Sequence, residues 1–170
     1  MNEARNIFAA AKAIQAEVSR ELGPPQEGLR STKQLVIPTS LVRGTRGYIE
    51  RVANQVNGAY ENGWYDACAV MTRRLVETLI IEAFEHHKIA DKIKNAAGEF
   101  LFLRDLVDKS LQEQAWNLTR NCKQALPKLK DIGDKSAHSR RYNAVRGDLD
   151  PLLSEIRFVV QEFLYLAKLK

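Results

Sequence analysis

The sequence predicts an all-α protein, an antiparallel bundle of five or six helices. Three observations lead there. Apolar residues recur at intervals of three and four through most of the 170 residues, the pattern of helices that bury one face. The breaks between those runs are short and carry turn residues, which suits antiparallel neighbours. The β-prone run Leu35-Val36-Ile37-Pro38 has no second run to pair with, and one strand makes no sheet.

Taken in order, the first helix runs from about Asn2 to Leu22, with Ile7, Phe8, Ala11, Ile14, Val18 and Leu22 on one stripe; Gly23-Pro24-Pro25 stops it. Residues 26 to about 40 read as a connector whose Leu35–Pro38 part lies extended on the bundle. A second helix starts at Thr39 or Ser40, either of which can cap it, and is weakened early by Gly44 and Gly47. Asn62-Gly63 marks a turn. The third helix, Trp64 to His87, carries the widest apolar face and belongs in the middle of the bundle. Shorter helices follow over Gly98–Ser110 and Glu113–Lys130, the latter kinked or restarted at Pro127. A polar stretch covers 133–147. Asp150 as N-cap and Pro151 as first helical residue open the last helix. Residues 46–170 thus form the bundle domain, and residues 1–45 an N-terminal helix and connector packing on it.

Composition narrows the function classes. No apolar stretch is long enough to span a bilayer, and the N-terminus lacks the apolar block of a secretory signal, so the expectation is a cytoplasmic protein without a membrane partner. Cys68 and Cys122 fall in apolar-periodic segments and read as buried, reduced thiols. The net charge of +5 is concentrated. Between Thr119 and Arg146 stand Arg120, Lys123, Lys128, Lys130, Lys135, Arg140, Arg141 and Arg146 against only Asp131 and Asp134. A second basic stretch holds Arg30, Lys33, Arg43 and Arg46. On charge alone, solvated surfaces are the favoured reading and a phosphate-binding surface the sharper one.

Three constellations bear on chemistry, in a chain without a Gly-rich phosphate loop, paired-Cys zinc pattern or nucleophile elbow. Glu82 and His86 share a helix face but lack a third ligand, so no metal and no cofactor is expected. Arg73 and Arg74 lie on the most apolar helix, where Arg74 and Glu77 are spaced to form an internal ion pair; the alternative is that Arg73 or Arg74 reaches a phosphate in a cleft. The segment Gly133-Asp-Lys-Ser-Ala-His138-Ser-Arg-Arg-Tyr-Asn143 sets a histidine among Lys135, Arg140 and Arg141. A neutral histidine can take the proton of a 2′-hydroxyl, and an arginine can stabilise charge gathering on phosphorus. The plainer alternative is that His138 braces a helix end and the arginines are solvated.

The run Gly63-Trp-Tyr-Asp-Ala-Cys-Ala-Val-Met-Thr-Arg-Arg-Leu-Val-Glu-Thr-Leu-Ile-Ile-Glu-Ala-Phe-Glu85, followed by Ile132-Gly-Asp-Lys-Ser-Ala-His138, resembles the HEPN superfamily. More narrowly, it resembles a bacterial branch known as a domain of unknown function, found alone or fused to restriction-enzyme subunits. The resemblance covers roughly residues 45 to 168. It implies a bundle of four or five helices, often dimeric, with the motif face near the dimer seam. Many members of the superfamily are metal-independent RNases whose motif is an arginine, four to six residues, then histidine. Here His138 matches the histidine, while the matching upstream positions hold Asp131, Ile132 and Gly133.

Three functional readings follow. The first is a non-catalytic binding and dimerisation module, a homodimer that takes RNA, DNA or nucleotide phosphates on Lys130, Lys135, Arg140, Arg141, Arg73 and Arg74, in phage defence or restriction. The second is an endoribonuclease with His138 as acid/base and Arg141 or Arg140 at the phosphate. The third is a structural adaptor for an acidic protein.

Overall fold

The computed structural model describes residues 2–21 and 35–170. The stop signal Gly23-Pro24-Pro25 and the basic residues Arg30 and Lys33 lie outside the described residues. The architecture is the all-α bundle, built on α1 (Asn2–Glu21), α2 (Thr39–Val42), α3 (Gly47–Glu61), α4 (Tyr65–His86), α5 (Leu103–Gln112), α6 (Arg120–His138), α7 (Arg146–Leu149) and α8 (Leu153–Leu166). Short 3-10 turns cover Ala90–Ile93 and Asp150–Leu152.

The apolar face of α4 explains its position. Cys68, Ala69, Leu75, Val76, Leu79, Ile80, Ala83 and Phe84 are all buried, and they cover too much of the circumference for a helix packed on one side. α4 accordingly touches α3, α5, α6 and α8. Its neighbours run antiparallel where pairs of contacts fix their direction. Trp116, just ahead of α6, stacks edge-on against Phe84 near the end of α4, while Gly133 late in α6 meets Arg73 early in α4. α8 opposes α6 in turn: Lys128 reaches Glu155 at 2.6 Å, and the Thr119 amide donates to Glu162 at 2.6 Å.

The β-prone run Leu35–Pro38 is extended, with Val36 and Ile37 fully buried. Buried backbone groups need partners, and side chains supply them. The Asn57 amide both accepts from the Ile37 N–H and donates to its carbonyl, at 2.8 Å each. Arg157 of α8 donates to the carbonyls of Val36, at 2.9 Å, and Leu35, at 2.6 Å. Pro38 precedes α2, whose single turn ends at Arg43. Gly44 then takes φ +79°, a left-handed conformation that breaks the chain before α3. Gly44 thus splits the second helix rather than merely weakening it, and Gly47 opens α3.

Several boundaries differ from the periodic reading. The stretch before α5 is a turn: the Asn95 side chain accepts from the Ala97 and Glu99 amides, and a single bridge joins Lys94 to Phe100. α6 begins at Arg120 because Thr119 caps it, accepting from the Cys122 amide at 3.3 Å. The preceding residues fold back on the Glu113 carboxylate, which accepts from the Gln114 and Ala115 amides. α6 also runs through Pro127 as one element. That proline is exposed, as is Lys123 four residues earlier, so the carbonyl it frees lies toward water. Nor does α6 end before Gly133. That residue is buried inside the helix. Asp150 is not the cap of the last helix: α7 precedes it, and its carboxylate accepts from the Tyr60 hydroxyl and from Arg146.

At Gly133 the backbone of α6 lies close against a side chain of α4. A Cβ there would lie 2.5 Å from the Cβ of Arg73, an atom that cannot swing away without moving the backbone. Gly133→Ala is therefore expected to cost about 1–3 kcal/mol despite its better helix propensity. Gly58→Ala, in α3 with nothing within 4 Å of the added carbon, is expected to gain about 0.5–1 kcal/mol. Urea unfolding of the two variants beside wild type checks the opposite signs.

Both thiols are free and fully buried. Desolvation pushes Cys68 up to about 12, and Cys122 is raised as well, first by burial and then by Glu162. Since the thiolate is the reactive form, a disulfide-exchange reagent at pH 8 is expected to label neither cysteine in the native protein and both in urea.

Candidate nucleic-acid interface

Apart from Arg120, exposed at the start of α6 and in no salt bridge among the described residues, the basic residues between Thr119 and Arg146 sort into two groups. In the first, cations meet partners. Lys128 bonds Glu155. Lys130 reaches Asp134 at 2.9 Å and Asp131 at 3.1 Å. Lys123 donates to the Asn117 side chain, and Arg146 to Asp150. Arg73 arrives from α4, with its Nε 2.7 Å from Asp134 and its guanidinium 3.6 Å from Glu77. In the second group, Lys135, Arg140 and Arg141 are exposed and enter no salt bridge among the described residues. His138 is exposed beside them, as the last residue of α6.

This corrects two expectations. The ion pair on α4 is made by Arg73 with Glu77, four residues apart, and not by Arg74; Arg74 is exposed, while Arg73 lies on the seam with α6. Arg73 and Lys130, counted among the phosphate-binding cations, are both bonded to Asp134, so their charge is already balanced within the bundle. The second basic stretch is partly spent too, since Arg46 bonds the buried Glu82 at 2.8 Å. The Tyr48 hydroxyl donates to the other oxygen of Glu82. That arrangement occupies the carboxylate that shares a helix face with His86.

Lys135 stands in the last turn of α6, and Arg140 and Arg141 are carried on a loop held at both flanks. At its start, the Ser139 hydroxyl accepts from the Tyr142 amide at 3.3 Å. Tyr142 donates its own hydroxyl to Asp148 at 2.9 Å, and Asp148 also accepts from the Val145 amide at 3.0 Å. Burial, and then the bond to Asp148, push the Tyr142 phenol up to about 12, so it stays a neutral donor at any ordinary pH. Ala144 is fully buried, and its amide donates to Asp66 in the first turn of α4 at 3.0 Å. Arg140 and Arg141 stand between these anchors. Their backbone is ordered before any ligand arrives, which lowers the entropy a ligand must overcome.

Comparison with known protein families, with curated proteins and with solved structures returns no match. The assignment of chemistry therefore rests on the residues themselves. At positions 131–133, with four to six residues between them and His138, the chain places no arginine, yet one comes there in space: Arg73 packs against Gly133. Its guanidinium is bonded to Asp134 and Glu77, which makes it part of the scaffold.

Sequence reasoning missed the acceptors that anchor this loop. Asp66 and Asp148 carry no periodic or motif signal, and Asp66 lies 78 positions from the amide it binds. Asp134 was visible only as an acid diluting a basic run, whereas it is the residue that joins Arg73 to Lys130.

Burial opposes the charge on Asp134, but the hydrogen bonds from Lys130 and Arg73 outweigh it and hold the carboxyl below its usual range. A carboxyl depressed by folding stabilises the native state above its unfolded pKa of about 3.9. That contribution is lost as pH falls through the folded value. Asp134→Asn is thus expected to cost about 1 kcal/mol at pH 7, the pair being partly exposed. The difference from wild type should shrink as pH falls from the unfolded value through the depressed folded one, which denaturant unfolding across pH measures.

Proposed function

We propose that the end of the bundle formed by the last turn of α6 and residues 139–145 binds the phosphate backbone of a nucleic acid, without a chemical step. The observation that carries this reading is the sorting of charge: Lys135 in the last turn of α6 and Arg140 and Arg141 on the anchored loop are exposed and enter no salt bridge among the described residues, while Arg73, Lys128 and Lys130 are tied to carboxylates. His138 and Tyr142 flank the loop arginines, and Asn143 adds an exposed amide. The resemblance to HEPN proteins supports the same face, since His138 stands at the position of the superfamily's histidine.

Such contacts act by releasing counterions, so binding must weaken steeply with salt, by a slope of roughly 0.7 per phosphate for a single strand. Fluorescence anisotropy with labelled single-stranded RNA, with single-stranded DNA as comparator, is expected to show salt-sensitive binding. The double variant Arg140→Ala/Arg141→Ala should reduce the slope by roughly 1 to 1.5. Arg120→Ala/Lys123→Ala, at the far end of α6, removes the same two charges and should leave the slope largely unchanged. No binding at low salt would overturn the reading. RNA cleavage in the same samples that is lost in His138→Ala would replace it with the endoribonuclease reading.

A further inference from the structure

The antiparallel packing of α4 and α6 decides what lies beside the loop that carries Arg140 and Arg141. Gly133 of α6 meets Arg73 of α4. From that contact α4 runs back nine positions to Trp64, the residue that precedes its first turn, a distance of about 13 Å along the axis. α6 runs on six positions to Ser139, about 9 Å. Both lead to the same end of the bundle, so Trp64 stands at the height of the loop.

Contacts join the two segments directly. The Ala144 amide donates at 3.0 Å to Asp66, two residues after Trp64. Burial raises the Tyr65 phenol and the Arg146 charge opposes that rise, which places Arg146 against the residue next to Trp64. Residues 64–66 thus lie along residues 144–146. Arg141 is three residues from Ala144, at most about 11 Å along the chain. The carboxylates of this end are turned onto the protein: Asp66 onto the Ala144 amide, Asp148 onto Tyr142 and the Val145 amide.

Trp64 is 48% exposed, and Val145 on the facing segment 49%. Its backbone is nevertheless fixed. Gly63 takes φ +75°, and the Trp64 amide donates to the Ala59 carbonyl at 2.8 Å. The other tryptophan, Trp116, is buried against Phe84 and His87 toward the far end of α4. The bundle therefore holds an indole in the open, on ordered backbone, beside exposed cations. Every nucleobase has a π-face that stacks on such a ring. A duplex keeps those faces stacked within itself, whereas a single strand can splay them out.

We infer that Trp64 is a base-stacking platform, and that the ligand of this end of the bundle is a single strand rather than a duplex. The inference rests on the phosphate-backbone reading and adds a contact to the part of the nucleotide that the cations do not touch.

Titration of the full chain with unstructured single-stranded RNA, single-stranded DNA and a DNA duplex tests it, read by tryptophan fluorescence and by anisotropy. Both single strands are expected to quench the emission of Trp64. Trp64→Phe should abolish the quench and keep the affinity within about threefold, because a phenyl ring still stacks. Trp64→Ala should weaken both single strands by about fivefold or more and the duplex by less than about twofold. Its salt slope should match wild type, since no charge is lost. Single-strand binding without a quench overturns the inference. So does a Trp64→Ala protein that binds single strands like wild type, or one that loses the duplex equally, the result required if the ring only shapes the loop. Failure of the phosphate reading looks different: wild type then binds none of the three at low salt, and the inference falls with it.

Discussion

The close approach of α4 and α6 at Gly133 is the constraint on which the rest of the bundle depends. A helix residue with no side chain lets the stem of Arg73 lie against the backbone of α6. At that separation the guanidinium reaches Asp134, and Lys130 reaches the same carboxylate from its own helix. α4 is the helix around which α3, α5, α6 and α8 gather, so the height at which α6 crosses it sets where α6 ends. That end is the start of the loop carrying Arg140 and Arg141. The apolar face of α4 supplies the cohesion, and the Gly133–Arg73–Asp134 contact supplies the register. A partly exposed ion pair contributes little stability by itself. Its effect here is to select one of several ways in which two apolar faces can slide past each other.

What was legible in the sequence was what depends on local periodicity. The apolar positions of α4 from Cys68 to Phe84, and those of α8 from Leu153 to Leu164, are the buried ones, because a helix packed on both sides or on one repeats its burial every three to four residues. Boundaries set by a distant partner were not legible. Gly133 reads as a helix end by propensity, yet it sits inside α6 because Arg73 needs the space. Asp150 followed by proline reads as a cap, yet Tyr60 and Arg146 claim its carboxylate. Arg74 and Arg73 are equally placed to pair with Glu77 by spacing alone, and only the position of α6 separates the scaffold arginine from the exposed one.

The same limit governs the candidate site. A count of basic residues overstates what a partner meets, since charge already balanced by a neighbour contributes little to the field beyond it. Of the cations singled out between 130 and 141, Lys130 belongs to the fold, as does Arg73 from α4. What remains is a smaller and better-defined surface, fixed by Asp66 and Asp148 acting on loop backbone and on Tyr142. Without a matching family, curated protein or solved structure, the functional argument stands on this geometry together with the His138 segment.

The clasp around Leu35–Ile37 has a mechanical consequence. The extended segment is joined to the body by Asn57 on α3 and Arg157 on α8, through bonds to main-chain atoms rather than to side chains. Tension applied through the amino-terminal part of the chain therefore enters the bundle across two helices at once. The load is spread over four hydrogen bonds and the buried Val36 and Ile37 instead of peeling one helix from its end. Because the grip is on the backbone, it transmits force whatever sequence precedes it, so the segment ahead of Leu35 is free to diverge without loosening the anchor.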